Sequence, residues 1–245
     1  VARRATIIKQ IRAESSNVLL LDAGDSLAVD RDPAVGTQGQ TSIEAMNMMG
    51  YDAMALGEMD LRLGTAALEQ RQAEASFPLL SANTVLSGSG AFPFRTYTIV
   101  EMEKHRVGIV GLSDGSDLGE LQVRPPLETA RQIVPQLEKE ADIIILLSHA
   151  GLPTDKEIAA AVPGIDAIVS GGPETLAELY RDPAHGTVIV HADVASPGHA
   201  GRQVGVGTLS FDGNGRLLDA QWSRASLGPE VADDPEMSAW EAAHR

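Results

Sequence analysis

Apolar and polar positions along the chain alternate with two periods, and the change of period marks the elements. Residues 3–14 place Ile7, Ile8 and Ile11 on one side of a helix. NVLLLDAGD, residues 17–25, is a buried strand that ends in a glycine turn. Residues 41–49 follow as a helix that Gly50 terminates, DAMAL (52–56) as a strand, 64–75 as a helix and FPLLSAN (77–83) as a strand. RTYTIVE (95–101) and RVGIVGL (106–112) form a hairpin around Lys104 and His105, and a helix over 127–140 starts after Pro125-Pro126. DIIILLSH (142–149) is almost continuously apolar, as expected of a strand covered on both faces. A helix over 154–162, the strand IDAIVSGG (165–172) and a short helix over 174–180 come next. TVIVHAD (187–193), RQVGVGTLSFD (202–212) and GRLLDAQW (215–222) are strands, the last two joined by the turn Asp212-Gly213-Asn214-Gly215. A final helix covers about 233–244. Alternation early and hairpins late predict an α/β layered domain, with a mixed sheet or two packed sheets.

Length and composition narrow the function. The chain has 245 residues, 43% of them hydrophobic, enough for one large α/β domain or two small ones with a real core. No cysteine is present, which excludes disulfides, thiolate metal sites and cysteine nucleophiles. The net charge of −15 argues against a general nucleic-acid surface. A phosphorylated ligand would need local positive charge from a metal ion, an arginine or helix N-terminal amides. The longest apolar run, Ile143 to Leu147, is too short to span a bilayer. Val1-Ala2-Arg3-Arg4 leads straight into the first helix and shows no signal-peptide pattern. The chain reads as a mature protein, a fragment or a domain of something longer.

Four apolar strands end in polar clusters: Ala23-Gly24-Asp25, Gly57-Glu58-Met59-Asp60, Ser148-His149-Ala150-Gly151 and Ser170-Gly171-Gly172-Pro173-Glu174. In open α/β sheets the ligand crevice lies at the carboxyl ends of the strands. Asp25, Glu58, His149 and Glu174 could therefore meet there and hold a divalent metal. Each alone has an ordinary explanation as a turn residue, a core residue or a helix N-terminal acid. The signal is their common placement.

With these segments on view, the chain resembles the metallophosphoesterase (calcineurin-like) domain of the 5′-nucleotidase / 2′,3′-cyclic phosphodiesterase family. The resemblance runs nearly end to end, through VLLLDAGDSL, EAMNMMGYDAMALG, FPLLSANT, HRVGIVGLSD, DIIILLSHAG and IDAIVSGG. It implies a four-layer αββα sandwich, with two metals that activate a bridging water and clamp a phosphate. It also implies a metallophosphoesterase-like domain over 1–227, lacking an upstream Asp-x-His segment, and an exit segment with a helix over 228–245.

Residue by residue, Asp25 matches the family's bridging Asp and His149 its lone His. The other positions depart. Glu58 stands for an Asn ligand, Met59 for the catalytic His and Arg62 for the Asp that orients that His. Gly172 and Glu174 stand for the two His of Gly-His-x-His. Met59 cannot carry a proton, and its thioether suits hard divalent metals poorly. Asp25, Glu58, Asp60 and Glu174 would share one cleft and repel each other without a cation, unless Arg62 folds back on Glu58 or Asp25. His191 and His199 are conceivable replacement ligands, while His105 and His244 read as solvated.

The resemblance thus implies a degenerate metallophosphoesterase-like domain, a pseudoenzyme serving as a binding or structural module, with a larger protein or complex as its setting. The alternative is a working 5′-nucleotidase-like phosphohydrolase with altered ligands. The metal set is Asp25 and His149 with Glu58 and Glu174, for one divalent Mn, Zn or Mg ion, with no metal as an equal alternative. No catalytic residue is assigned and no substrate-binding residue is named. A nucleotide or phosphoester is the ligand if a metal is bound, and family resemblance implies a periplasmic or extracellular location.

Overall fold

The computed structural model describes residues 1–27, 36–115, 117–192 and 202–244. In chain order the elements are α1 (Ala2–Glu14), β1 (Leu21–Asp22), α2 (Gln40–Met49), β2 (Ala53–Ala55), α3 (Glu58–Leu61), α4 (Thr65–Glu74), β3 (Leu79–Leu80), β4 (Thr84–Leu86), β5 (Tyr97–Met102) and β6 (His105–Leu112). They continue with β7 (Leu121–Val123), α5 (Pro126–Leu137), β8 (Ile143–Ser148), α6 (Leu152–Ala161), β9 (Ala167–Ser170), β10 (Tyr180–Arg181), β11 (Val188–His191), β12 (Gln203–Phe211), β13 (Leu217–Ser226) and α7 (Pro235–Ala243).

The architecture is the four-layer αββα sandwich of the metallophosphoesterase type. One sheet runs β1-β2-β3, all parallel, and a second runs β10-β11-β9-β8-β6-β5. The β12–β13 hairpin and the β4–β7 pair stand apart as two-stranded sheets. Side-chain alternation explains the layers, because successive strand residues point to opposite faces. In β2, Ala53 and Ala55 face the second sheet, while Met54 and the following Leu56 face the outer helices with Ile8, Ile43 and Leu68. In β8, Ile143, Ile145 and Leu147 face the first sheet, whereas Ile144 and Leu146 pack outward on Val134, Leu137 and Ile158 of α5 and α6. The uninterrupted apolar run of β8 is thus the sum of two half-cores. Small residues let the sheets approach: a Cβ on Gly111 of β6 would lie 2.4 Å from the Leu80 carbonyl oxygen.

Several expectations need correction. No helix forms over 174–180; this stretch is a loop that enters β10. Its Leu176 and Ala177 carbonyls are taken by the Arg224 guanidinium rather than by amides of a next turn. The turn Gly57-Glu58-Met59-Asp60 continues into the one-turn helix α3, and β4 and β7 were not foreseen. His105 is not a solvated turn residue but the first residue of β6, paired with Met102. His244 is held as well: its Nε2 lies 3.1 Å from Glu44 Oε2, and its ring stacks on Trp240. Helix α7, capped by Asp234, folds back onto α1, where Lys9 Nζ meets Asp234 at 2.6 Å. Among the described residues no helix is long and apolar enough to cross a membrane.

Candidate active site

The strand ends of both sheets open on the same side. After β1 the chain turns through Gly24 (φ 104°) and Asp25 (φ 59°), both in the left-handed region. Gly24 has no alternative, since a Cβ there would lie 2.8 Å from the Gly57 amide nitrogen. Asp25 tolerates this conformation better than most residues do. The turn is secured by Asp60, whose carboxylate accepts from the backbone N–H groups of Asp25 (2.7 Å), Leu27 (2.8 Å) and Gly57 (3.0 Å).

This fixes the Asp25 side chain. Its Oδ1 accepts the Met59 N–H at 2.8 Å, and its Oδ2 lies 3.0 Å from His149 Nε2. His149 follows β8, is 6% exposed, and its Nδ1 sits 2.8 Å from the Ala23 carbonyl oxygen. Burial would lower the pKa of this imidazole, but the hydrogen bond and charge of Asp25, with the Ala23 carbonyl, raise it to about 9. Both ring nitrogens of His149 face acceptors, Asp25 Oδ2 and the Ala23 carbonyl oxygen, an arrangement that favours the protonated ring. Burial pushes the Asp25 carboxyl up, yet the His149 bond and charge and the Met59 amide bring it below its ordinary value.

The remaining expected residues are placed differently. Glu58 turns to Arg62, with Oε1 and Nη2 at 2.6 Å, so Arg62 does fold back on Glu58. That pair is largely exposed and screened. Met59 reaches the site through its backbone only. Asp60 does not face the cleft as expected; it is fully buried and binds backbone amides. Burial first, and then the charge of Asp25, raise its pKa to about 7. Glu174 lies against Gly151, where an added Cβ would come 3.3 Å from Oε2, and that oxygen is buried without a hydrogen-bond partner. His191 ends strand β11 as the sequence suggests and is buried, with Nε2 3.4 Å from the Gly172 carbonyl oxygen. His199 lies outside the described residues.

Two acids of the site escaped sequence reasoning. Asp22 accepts from Gly24 N–H and Ser26 Oγ and lies near Arg4. Asp114, at the end of β6, has a buried Oδ1 without a partner. Burial raises its pKa, Asp25 and Glu58 add to the rise, and His149 opposes it. The strand-end rule applied to RVGIVGLSD would have found Asp114. As placed, no group of three or more His, Asp or Glu among the described residues is arranged to hold a metal ion. Asp25 and His149 engage each other and Glu58 engages Arg62, so no reaction step is derived through a metal centre.

The sandwich and its strand-end site define the class: the chain belongs to the calcineurin-like metallophosphoesterases of the 5′-nucleotidase family. It is 32% identical over 270 residues to a snake venom 5′-nucleotidase of Gloydius brevicauda, an alignment covering 98% of this chain and 45% of that protein. Among solved structures, a 5′-nucleotidase precursor from Thermus thermophilus superposes with a TM-score of 0.83 at 27% identity, covering 99% of this chain and 52% of that one. A Thermus thermophilus sulfate thiohydrolase SoxB, at 21% identity, shares the fold with a TM-score of 0.88 over 99% of this chain and 46% of that one. No protein-family model matches the chain. The chain spans about half the length of the curated relatives it matches.

Proposed function

We propose that this domain keeps the metallophosphoesterase scaffold but not the family's hydrolytic chemistry, and that it serves as a binding or structural module within a larger protein or complex. The observation that supports this most is the Asp25–His149 ion pair. The two side chains matching family ligands neutralise each other at 3.0 Å, while Glu58 is engaged by Arg62. Met59 supplies no proton donor where the family pattern has one, a contribution typically worth about 10²–10⁴-fold in rate. An exported location is part of the same reading, supported by the resemblance to a venom nucleotidase.

The test is elemental analysis of the protein after incubation with Mn²⁺ and Zn²⁺. On the same sample, hydrolysis of AMP and of bis(p-nitrophenyl) phosphate is assayed. The expected result is substoichiometric metal and no turnover above the metal-only blank. Stoichiometric metal with turnover would overturn the proposal in favour of a phosphohydrolase with altered ligands.

A further inference from the structure

Helix α7 rests on α1 and α2, and its two ends are held by different chemistry. The first turn is anchored by packing and by fixed charge. Met237 is 2% exposed and shares a cluster with Ala5 and Ile8 of α1 and Met49 of α2. Asp234 caps the helix by accepting the Met237 N–H at 2.9 Å, and it meets Lys9 Nζ at 2.6 Å. Their hydrogen bond lowers the pKa of the Asp234 carboxyl and raises that of the Lys9 ammonium, so both stay charged across the neutral range.

The last turn is held through an imidazole. Glu44, the one charged residue of α2, places Oε2 3.3 Å from Trp240 Nε1 and 3.1 Å from His244 Nε2. Its Oε1 accepts from Gln40 Nε2 at 3.0 Å. His244 Nδ1 lies 2.8 Å from the Trp240 carbonyl oxygen. The His244 ring stacks on the Trp240 indole, with centroids 4.4 Å apart and planes inclined by 28°. Three features of this geometry select the protonated ring. A neutral imidazole carries one N–H. With that proton on Nε2, the Nδ1 lone pair would face the Trp240 carbonyl. With it on Nδ1, the Nε2 lone pair would face the Glu44 carboxylate. Only the cation donates to both. The face of an indole also attracts a cation. Finally, His244 is the C-cap of α7, where the carbonyl end of a helix favours positive charge. The other described acids of α7 are engaged by α1: Glu236 meets Lys9 at 3.4 Å, and Glu241 meets the Val1 amino group at 2.8 Å.

We infer that Glu44, Trp240 and His244 form a pH-operated clasp: protonated His244 docks the last turn of α7 on α2, and the turn lifts when the ring loses its second proton. Docking takes up the proton, so it is strongest below the imidazole range and is lost as pH rises through that range. The first turn stays down, because Lys9 and Asp234 keep their charges and Met237 stays buried. Opening is thus confined to one end of the helix. The clasp uses none of the residues of the candidate site and does not rest on the proposed function.

The test follows backbone hydrogen exchange at about pH 5.5 and about pH 8, on either side of the imidazole range. Each rate is divided by its unstructured-chain value at that pH and compared with the β8 amides of the same sample. The unaltered chain is measured beside His244→Gln and Glu44→Gln, both substitutions of partly exposed side chains. In the unaltered chain, protection of the 240–244 amides relative to β8 should fall roughly tenfold from the lower pH to the higher. The Met237 and Ser238 amides, bound by Asp234, should keep theirs. In both variants the fall should disappear. Protection of the last turn that is the same at both pH values in the unaltered chain overturns the inference. So does an equal fall in His244→Gln, which would assign the effect to another titrating group such as the Val1 amino group. An equal fall in Glu44→Gln overturns it too, since the carboxylate would then not hold the ring. Loss of Met237 and Ser238 protection together with the last turn likewise overturns it, because the whole helix would then be leaving.

Discussion

Two aspartates, Asp60 and Asp155, sit behind the site, one under the strand ends of each sheet. Both are fully buried, and burial raises the pKa of each to about 7. Their partners differ. Asp60 accepts three backbone N–H groups from two separate turns. Asp155 accepts the Ser148 hydroxyl at 2.5 Å through Oδ1, while its Oδ2 has no hydrogen-bond partner. Glu174 Oε2, in the loop that follows β9, is likewise unpartnered. One carboxylate staples the first half of the site, and the other is only half satisfied beneath the second. The cost of burying charge is similar, and the structural return is not.

The largest effect should come from Asp60→Ala. It strands three amides, two of them in buried bonds, each worth about 1–3 kcal/mol, so a loss of about 3–9 kcal/mol is expected in urea unfolding. A loss below about 1 kcal/mol would mean that the turns hold without the staple. The Asn substitutions compare the two acids directly. Asp60→Asn turns an amide group toward one backbone N–H and should lose about 1–3 kcal/mol. Asp155→Asn keeps an acceptor for Ser148 and removes a buried charge, so it should stabilise.

That gain depends on pH. The folded pKa of Asp155, about 7, lies above its unfolded value near 3.8. Its ionisation therefore weakens the fold progressively as pH rises from about 4 to about 7, and not further above that. Asp155→Asn should be neutral at about pH 3 and stabilising by about 1–4 kcal/mol at about pH 7.5. An equal effect at both pH values would show that the carboxyl titrates normally.

Ser148→Ala removes the hydroxyl that Asp155 Oδ1 accepts at 2.5 Å, and a loss of about 1 kcal/mol is expected. The smallest effect belongs to Arg62→Ala. The Arg62 guanidinium is exposed and Glu58 is half-buried, a solvent-screened pair, so thermal unfolding should not change measurably. A clear shift there would mean that the Glu58–Arg62 pair supports the site after all.

The layers were legible because the apolar runs of β2, β6 and β8 are nearly uninterrupted, as strands covered on both faces require. The strand-end rule located Asp25 and His149, whose side chains do meet. Asp60 was misread because a carboxylate in a turn looks the same in sequence whether it faces a cleft or a set of amides. Three bonds from Asp25, Leu27 and Gly57 decide that question, and two of them cross more than thirty positions. The stretch 174–180 was read as helical for a similar reason. Arg224, far along the chain, competes for its carbonyls, and no local propensity records that.

The glycines of the two turns have a consequence for how such a site can change over time. A Cβ on Gly57 would lie 2.2 Å from Asp25 Oδ1, and one on Gly171 2.7 Å from His149 Nδ1. The turns are thus held by backbone shape and by Asp60. The Glu58, Met59 and Glu174 side chains, which stand where a ligand or a reacting group would be met, hold none of these turns. Scaffold and candidate chemistry thus rest on different residues here. Substitutions at 58, 59 and 174 can remove a chemistry or restore one while selection on folding takes little notice.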